Sequence, residues 1–385
     1  MKIVYVDNNA TTRVDDAVVK EMLPYFSDCY GNPSSMHTFG GQVGHDIRKA
    51  REKVAAIIHA EPEEIVFTSC GTESDNTAIM SAINAAPQKK HIITTRVEHP
   101  AVKNMAEYLT KKGIRATFVP VDRQGKLDLD YLADSLTDDT AVVSVMWANN
   151  ETGVIFPIKE IADILKEKDI IFHTDAVQAI GKVPVDVRKV NVDMLSLSGH
   201  KIHAPKGVGA LYIRRGTRFS PFMVGGHQEA GRRGGTENVA SIIGIGKACE
   251  LAMNHLEDET VHLKKLRDRL EAEILKCIPG SLVNGDIENR LPGTANISFE
   301  YVEGEAILLM LNEHGICASS GSACTSGSLE PSHVLRAMGV PYTAVHGSIR
   351  FSLSRYNTDD EITYILERIP GIIKRLRHMS PFWKE

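Results

Sequence analysis

No stretch of this chain approaches the roughly 20 consecutive apolar residues that a membrane helix needs, so no membrane association is expected. An excess of one charge is lacking too. Forty-four Lys and Arg stand against 49 Asp and Glu, a formal net charge of −5, which offers no attraction to nucleic acid or to an anionic lipid surface. Cysteine is sparse and scattered. Cys29, Cys70, Cys249, Cys277, Cys317 and Cys324 include no Cys-x-x-Cys pair, which argues against a disulfide framework and against a self-contained zinc site. One reactive thiol among several packed ones is the expectation. Met1–Asp7 reads as a strand entering a turn and not as a signal or transit peptide, which points to a cytoplasmic protein among reduced thiols.

What is present describes an ordinary globular protein, 43% hydrophobic and 24% charged. Its 385 residues suffice for two domains, or for one large α/β domain with an appendage. From about residue 64 to 213 strand-like and helical patterns alternate. Strands are expected at Glu64–Ser69, His91–Val97, Arg115–Val121, Thr140–Ala148, Ile170–Thr174, Asp193–Ser198 and Gly209–Arg214. Helices are expected at Glu73–Ala85, Ala101–Lys112, Leu129–Leu136 and Ile158–Glu167. Such repetition implies a mostly parallel sheet covered on both faces, with ligands gathered beyond the carboxyl ends of its strands. Asp258–Cys277 reads as a long charged helix leading into a smaller α+β unit, with strands at Ala295–Glu300 and Ser348–Ser354 and helices near 303–313 and 358–377.

The expected strand ends carry a particular set of groups. Lys201, in Ser198-Gly199-His200-Lys201, closes one apolar run, and Asp175 closes the run beginning at Ile170. An amine that can condense with an aldehyde and a carboxylate for a pyridinium nitrogen are the two groups that pyridoxal phosphate requires. Gln178 lies one helical turn beyond Asp175, if a helix starts there, and can reach the cofactor's phenolic oxygen. Cys70-Gly71-Thr72-Glu73 opens a helix and offers free N–H groups to a phosphate, although Thr72 is equally readable as a plain N-cap. Ser198 and His200 bracket the lysine as further phosphate donors. His99 can lie over the pyridine ring and move protons near neutrality, or it can be a surface N-cap. Asn150 ends a fifth strand. Lys206, in a solvent-facing turn, is the competing amine.

At these positions the chain resembles the cysteine desulfurases, in the branch that serves nitrogen fixation and iron–sulfur assembly. Matching motifs run in order along nearly the whole chain: Asp7-Asn8-Asn9-Ala10-Thr11-Thr12, Gly31-Asn32-Pro33-Ser34-Ser35, Gly71-Thr72-Glu73-Ser74, Val97-Glu98-His99, Asn149-Asn150-Glu151, Thr174-Asp175-Ala176-x-Gln178, Ser198–Lys201, Gly234-Gly235-Thr236-Glu237-Asn238 and Ser319–Cys324. The resemblance implies the α/β architecture of fold-type I pyridoxal-phosphate transferases in a homodimer, with Thr236 reaching the partner's phosphate site. It also implies that Arg350 holds the substrate carboxylate together with Asn150, a role a planar guanidinium suits. Read alone, Arg350 would be a surface ion-pair residue. A large unit at 15–257 and a smaller one from 1–14 and 258–385 follow as the expected domains, with a catalytic loop at 319–330. One departure is Ala204, where glycine is common in the family; the added methyl matters only if that position needs positive φ.

Cys324 sets the expected reaction. It sits among serine, glycine, alanine and threonine, a composition that buries little apolar surface and favours mobility. A free thiol with pKa near 8.5 is about 3% thiolate at neutral pH, enough for nucleophilic work. Attack on the sulfur of L-cysteine would leave a persulfide on Cys324 and release alanine, and an iron–sulfur scaffold protein would accept the sulfur. A transient bond from Cys324 to a cluster on that scaffold is compatible with this. Cys317, Cys29, Cys70, Cys249 and Cys277 are expected to be structural. The rivals are a selenocysteine lyase or small-substrate aminotransferase, which need no mobile thiol, and a metal scaffold built on Cys317, Cys324 and His333.

Overall fold

The computed structural model describes residues 3–320 and 330–383. Twelve strands are present among them: β1 (Val4–Tyr5), β2 (Ile65–Thr68), β3 (His91–Thr95), β4 (Arg115–Val119), β5 (Thr140–Ser144), β6 (Ile171–Asp175), β7 (Met194–Ser198), β8 (Gly209–Ile213), β9 (Ser281–Val283), β10 (Thr294–Phe299), β11 (Ile316–Cys317) and β12 (Ser348–Ser352). Seven of these form one sheet in the order β2-β8-β7-β6-β5-β3-β4. Only β8 runs against the others, pairing antiparallel with both β2 and β7.

Alternation along these strands divides the interior into two layers. Ile65 and Phe67 of β2, Ile93 of β3, Leu195 and Leu197 of β7, and Ala210 and Tyr212 of β8 face a core that includes the helix Thr38–Ala56. Val66, Ile92, Met194, Leu211 and Ile213 face the opposite layer, against the helices Gly71–Ala85 and Pro100–Thr110. Each Leu or Ile fully withdrawn from water contributes about 1.5–3 kcal/mol, so a one-residue slip of register would be costly.

A third core lies around the antiparallel sheet β9-β10-β12 and the parallel pair β1-β11. Residues from both ends of the sequence build it: Val4 and Val6 pack with Leu263, Ile297, Phe351 and Ile373. The helix expected over 358–377 is two helices, Asp359–Leu366 and Ile369–Met379, with Pro370 at the start of the second, where a missing N–H is tolerated.

The helix expected from Asp258 begins at Val239 and continues without interruption to Cys277. Its first part carries Gly244 and Gly246 among β-branched residues, a poor helix signal in sequence. Packing explains the glycine at 246, where a Cβ would stand 2.8 Å from Cα of Ala50 in the helix Thr38–Ala56. Ala248 and Cys249 of this helix are buried in the first core, and Leu263 to Ile274 in the third. The boundary expected at 257/258 therefore falls inside one continuous helix. Among the described residues no helix is long and apolar enough to cross a membrane.

Candidate active site

A cavity of about 230 Å³ opens at the carboxyl edge of the large sheet, lined in part by Gly71, Thr72, His99, Asn150, Asp175, Gln178, Ser198, His200, Lys201 and Arg350. These ten are the cofactor and substrate residues expected from sequence, apart from Thr236 and Cys324. The ends of β2, β3, β5, β6 and β7 deliver all of them but Arg350.

At the end of β2 the chain enters the helix Gly71–Ala85 through Cys70, which is the N-cap and makes no side-chain cap. Thr72 is thus a first-turn residue and not the cap. Gly71 is required by close approach, since a Cβ there would lie 2.7 Å from Val177 Cγ2. Glu73 accepts the Ser69 N–H at 2.7 Å and pairs with Arg233 at 2.9 Å. The helix start therefore presents uncapped N–H groups and the positive end of its dipole to the cavity, a seat for a phosphate. Ser198 Oγ, buried at the same edge, has no hydrogen-bond partner, which is what a hydroxyl held ready for a bound anion would show.

Lys201 follows β7 on a single 3₁₀ turn, and its Nζ donates to the carbonyls of Asn9 (2.5 Å) and Ala10 (2.8 Å). Lys206 is exposed and does not line the cavity. Asp175 is the last residue of β6, and its Oδ1 accepts the Val177 N–H at 2.9 Å. Burial raises its pKa to about 6, against the opposing pull of the Val177 N–H and the Lys201 charge. Gln178 sits in a turn, not a helix, and its amide donates to the Asn9 carbonyl at 2.9 Å.

His99 is the N-cap of the helix Pro100–Thr110 and also lines the cavity. Its Nδ1 accepts the Ala101 N–H at 3.1 Å, so a neutral ring carries its proton on Nε2. Burial, with Lys201 and His333 nearby, pushes its pKa down to about 4. His200, next to Thr11 Oγ1 at 3.2 Å, is also lowered to about 4, chiefly by burial.

Arg350 is not a surface residue; it is 2% exposed. Its guanidinium donates to Asp7 Oδ1 at 2.7 Å and to the Asn150 carbonyl at 3.0 Å, while its Nε has no partner. Ser319, five positions before Cys324, exchanges backbone hydrogen bonds with Arg350. Cys324 itself, with the rest of 321–329, lies outside the described residues. Thr236 is exposed and does not line the cavity of its own chain.

Several contributors were not read from sequence as site residues. Asn9 joins the two ends of the chain to the cavity, donating to Asn150 O (3.1 Å) and Thr294 Oγ1 (2.9 Å) and accepting from Lys182. Lys182 also donates to Gln178 Oε1 at 2.6 Å, and burial beside Lys201 and Arg350 lowers its pKa to about 7. A lysine four residues after Gln178 was the available clue. Asp75 also lines the cavity. Ala204 is absent from the residues with positive φ, and the neighbouring His203 takes that conformation, so the methyl at 204 is unstrained. Among the other thiols Cys249 is buried and raised to about 12 by that burial. Cys277 is exposed, which corrects its expected packed position: it is the last helical residue and faces water.

The aminotransferase class-V family model matches residues 4–365. The chain is 61% identical to the cysteine desulfurase NifS of Azotobacter vinelandii, covering 100% of this chain and 96% of that protein. It is 57% identical to a cysteine desulfurase of Gluconacetobacter diazotrophicus, with the same coverage of each. Among solved structures, a NifS-like protein superposes with a TM-score of 0.92 at 41% identity, covering 97% of this chain and 100% of the other. The protein SspA in complex with cysteine superposes at 0.81 and 35% identity, covering 92% and 99%. With a strand-end lysine, its carboxylate and an uncapped helix start in one cavity, this chain belongs to the cysteine desulfurase branch of the aminotransferase class-V family.

Proposed function

We propose that this protein removes sulfur from L-cysteine, yielding L-alanine and a persulfide on Cys324, with pyridoxal 5′-phosphate as cofactor. The observation that carries the reading is the convergence of Lys201, Asp175, His99 and Arg350 on one cavity beside an uncapped helix N-terminus. The residues fit the cofactor: Gly71, Thr72, Ser198 and His200 for its phosphate, Gln178 for its phenolic oxygen, Asp175 for its ring nitrogen and Lys201 for its aldehyde. When bound, it supplies an electron sink for the bond changes at the substrate's α and β carbons.

The side chains divide the remaining work. Arg350 and Asn150 hold the substrate carboxylate and orient the amino acid. Lys201 Nζ moves the α-proton. His99, neutral at pH 7 with its proton on Nε2, exchanges a proton with the substrate thiol. The Cys324 thiolate attacks the substrate sulfur; the new S–S bond forms as the C–S bond breaks, and the carbon skeleton takes up a proton to leave as alanine. The persulfide sulfur then passes to an acceptor of the iron–sulfur scaffold type, where a transient Cys324–metal bond can form. We place the protein in the cytoplasm as a homodimer, with Thr236 completing the partner's phosphate site. Residues 15–257 form the large unit, and 1–14 with 258–385 form the smaller unit carrying the 319–330 loop.

Incubation with L-cysteine tests this. Equal amounts of alanine and transferred sulfur are expected, with one additional sulfur on Cys324 by mass spectrometry. Alanine formation unchanged in a Cys324→Ser variant would favour a lyase or aminotransferase instead.

A further inference from the structure

Asp75 projects from the first turns of the helix Gly71–Ala85 into the floor of the cavity. It is 1% exposed, and its Oδ1 has no hydrogen-bond partner. Asp175 sits within hydrogen-bonding reach of it, as does Ser196 of β7. Behind both stands His173, 0% exposed, with Nδ1 2.9 Å from Ser144 Oγ, Nε2 2.9 Å from Ser196 Oγ, and Nε2 3.6 Å from Asp75 Oδ1. Burial pushes His173 down to about 3, so it brings no positive charge to this floor at neutral pH.

Two carboxylates this close, in a site withdrawn from water, cannot both be ionised. Two carboxylates within hydrogen-bonding reach can satisfy each other only when a proton lies between them, one then donating to the other. Lys201 lies on the Asp175 side and favours the anion there. Asp75 is faced by Asp175, by Glu98 from the end of β3 and by Cys70 at its own helix cap; the ionised Asp175 disfavours a second negative charge beside it.

We propose that Asp75 is a positioning residue that stays protonated and donates its Oδ–H to Asp175, holding Asp175 as the carboxylate that faces the cofactor's ring nitrogen. This rests on the role proposed above for Asp175. The raised pKa of Asp75, driven by burial and then by Asp175, agrees in direction. At neutral pH the floor then carries one negative charge, matched to one protonated ring nitrogen.

Infrared difference spectra and cofactor titrations on the full chain test the pair. At pH 7 without cofactor, the wild-type-minus-Asp75→Asn difference spectrum should contain the carbonyl stretch of a buried protonated carboxylic acid, over a band from Glu98 that is common to both proteins. In the holoenzyme Asp75→Asn keeps an N–H donor, so cofactor affinity should stay within about threefold while the alkaline step in the bound cofactor's visible absorbance disappears. Asp75→Leu keeps the volume and removes the donor, and should weaken cofactor retention by about tenfold or more, the loss of one hydrogen bond to a charged group. If Asp75→Leu does not fold, wild type against Asp75→Asn decides alone. Absence of an acid band from the wild-type-minus-Asp75→Asn difference, or an unchanged alkaline step in that variant, overturns the proposal. A protein that binds no pyridoxal phosphate sinks the wider reading of the cavity, while the infrared comparison still tests the pair.

Discussion

The two walls of the cavity differ in origin. One wall is the carboxyl edge of the large sheet, where residues 70 to 201 arrive after the ends of β2, β3, β5, β6 and β7. The other is made of Asn9, Ala10 and Arg350, brought from the two ends of the chain by β1-β11 pairing and by contacts to β12. The first wall is a consequence of parallel β/α topology, which places every strand's carboxyl end on one edge. The second exists only because β12 and the N-terminal turn pack into the same core. Function needs both, since Lys201 on the first wall is tethered by carbonyls of the second.

Removing the amine of the first wall should have the largest effect. Lys201→Ala is expected to lower alanine formation by at least about 10²–10⁴-fold, the scale of a lost acid–base group, and to abolish borohydride trapping of cofactor on the chain.

The second wall should respond differently. Arg350→Ala removes the proposed carboxylate clamp and should raise KM for L-cysteine by about 10- to 100-fold, the range of a hydrogen bond to a charged group. It also strands Asp7, whose side chain is 19% exposed, so the stability cost should fall below the about 3–5 kcal/mol of breaking a fully buried pair, readable by urea unfolding. Arg350→Lys should recover much of the stability and little of the KM.

A third prediction concerns pH. Glu98 is 0% exposed with Oε2 unpartnered, and burial raises its pKa to about 8. Because the folded pKa lies above the unfolded one, the folded state binds more protons between about pH 4.5 and 8, and stability falls as pH rises through that window. Glu98→Gln keeps an oxygen for the Met146 N–H and the Thr95 hydroxyl. It should flatten that dependence, a change on the order of 1–3 kcal/mol at pH 8, measured by unfolding at pH 5 and pH 8.

Smaller still is Gly71→Ala, which sets a methyl against Val177. Overpacking of this kind costs about 1–3 kcal/mol and should loosen phosphate binding; adding Val177→Ala should restore it. Least of all, Lys206→Ala should leave activity and stability unchanged within about 0.5 kcal/mol, separating the two candidate lysines.

Legibility followed the same division. Lys201, Asp175, His99 and Asn150 stood out because each ends an apolar run, and runs of that kind become strands whatever their partners. The fully buried strands β3, β5, β6, β7 and β8 were found within a few residues of their ends. Val239–Ala252 was missed as helix because its glycines serve contact with another helix and not local propensity. Asn9 was missed as a site residue because its partners Asn150 and Lys182 lie 141 and 173 positions away along the chain. Arg350 read alone was taken for a surface residue for the same reason, since Asp7 is 343 positions distant.

The sequence by itself determined the strand–helix alternation and the polar groups at five strand ends, since both rest on hydrophobic periodicity read within a few residues. Tertiary structure alone decided that Asp75 would meet Asp175, that Lys182 would lie against Gln178 and that Arg350 would be buried. Burial and charge proximity are properties of the packed interior, where water is absent and residues remote in sequence become neighbours.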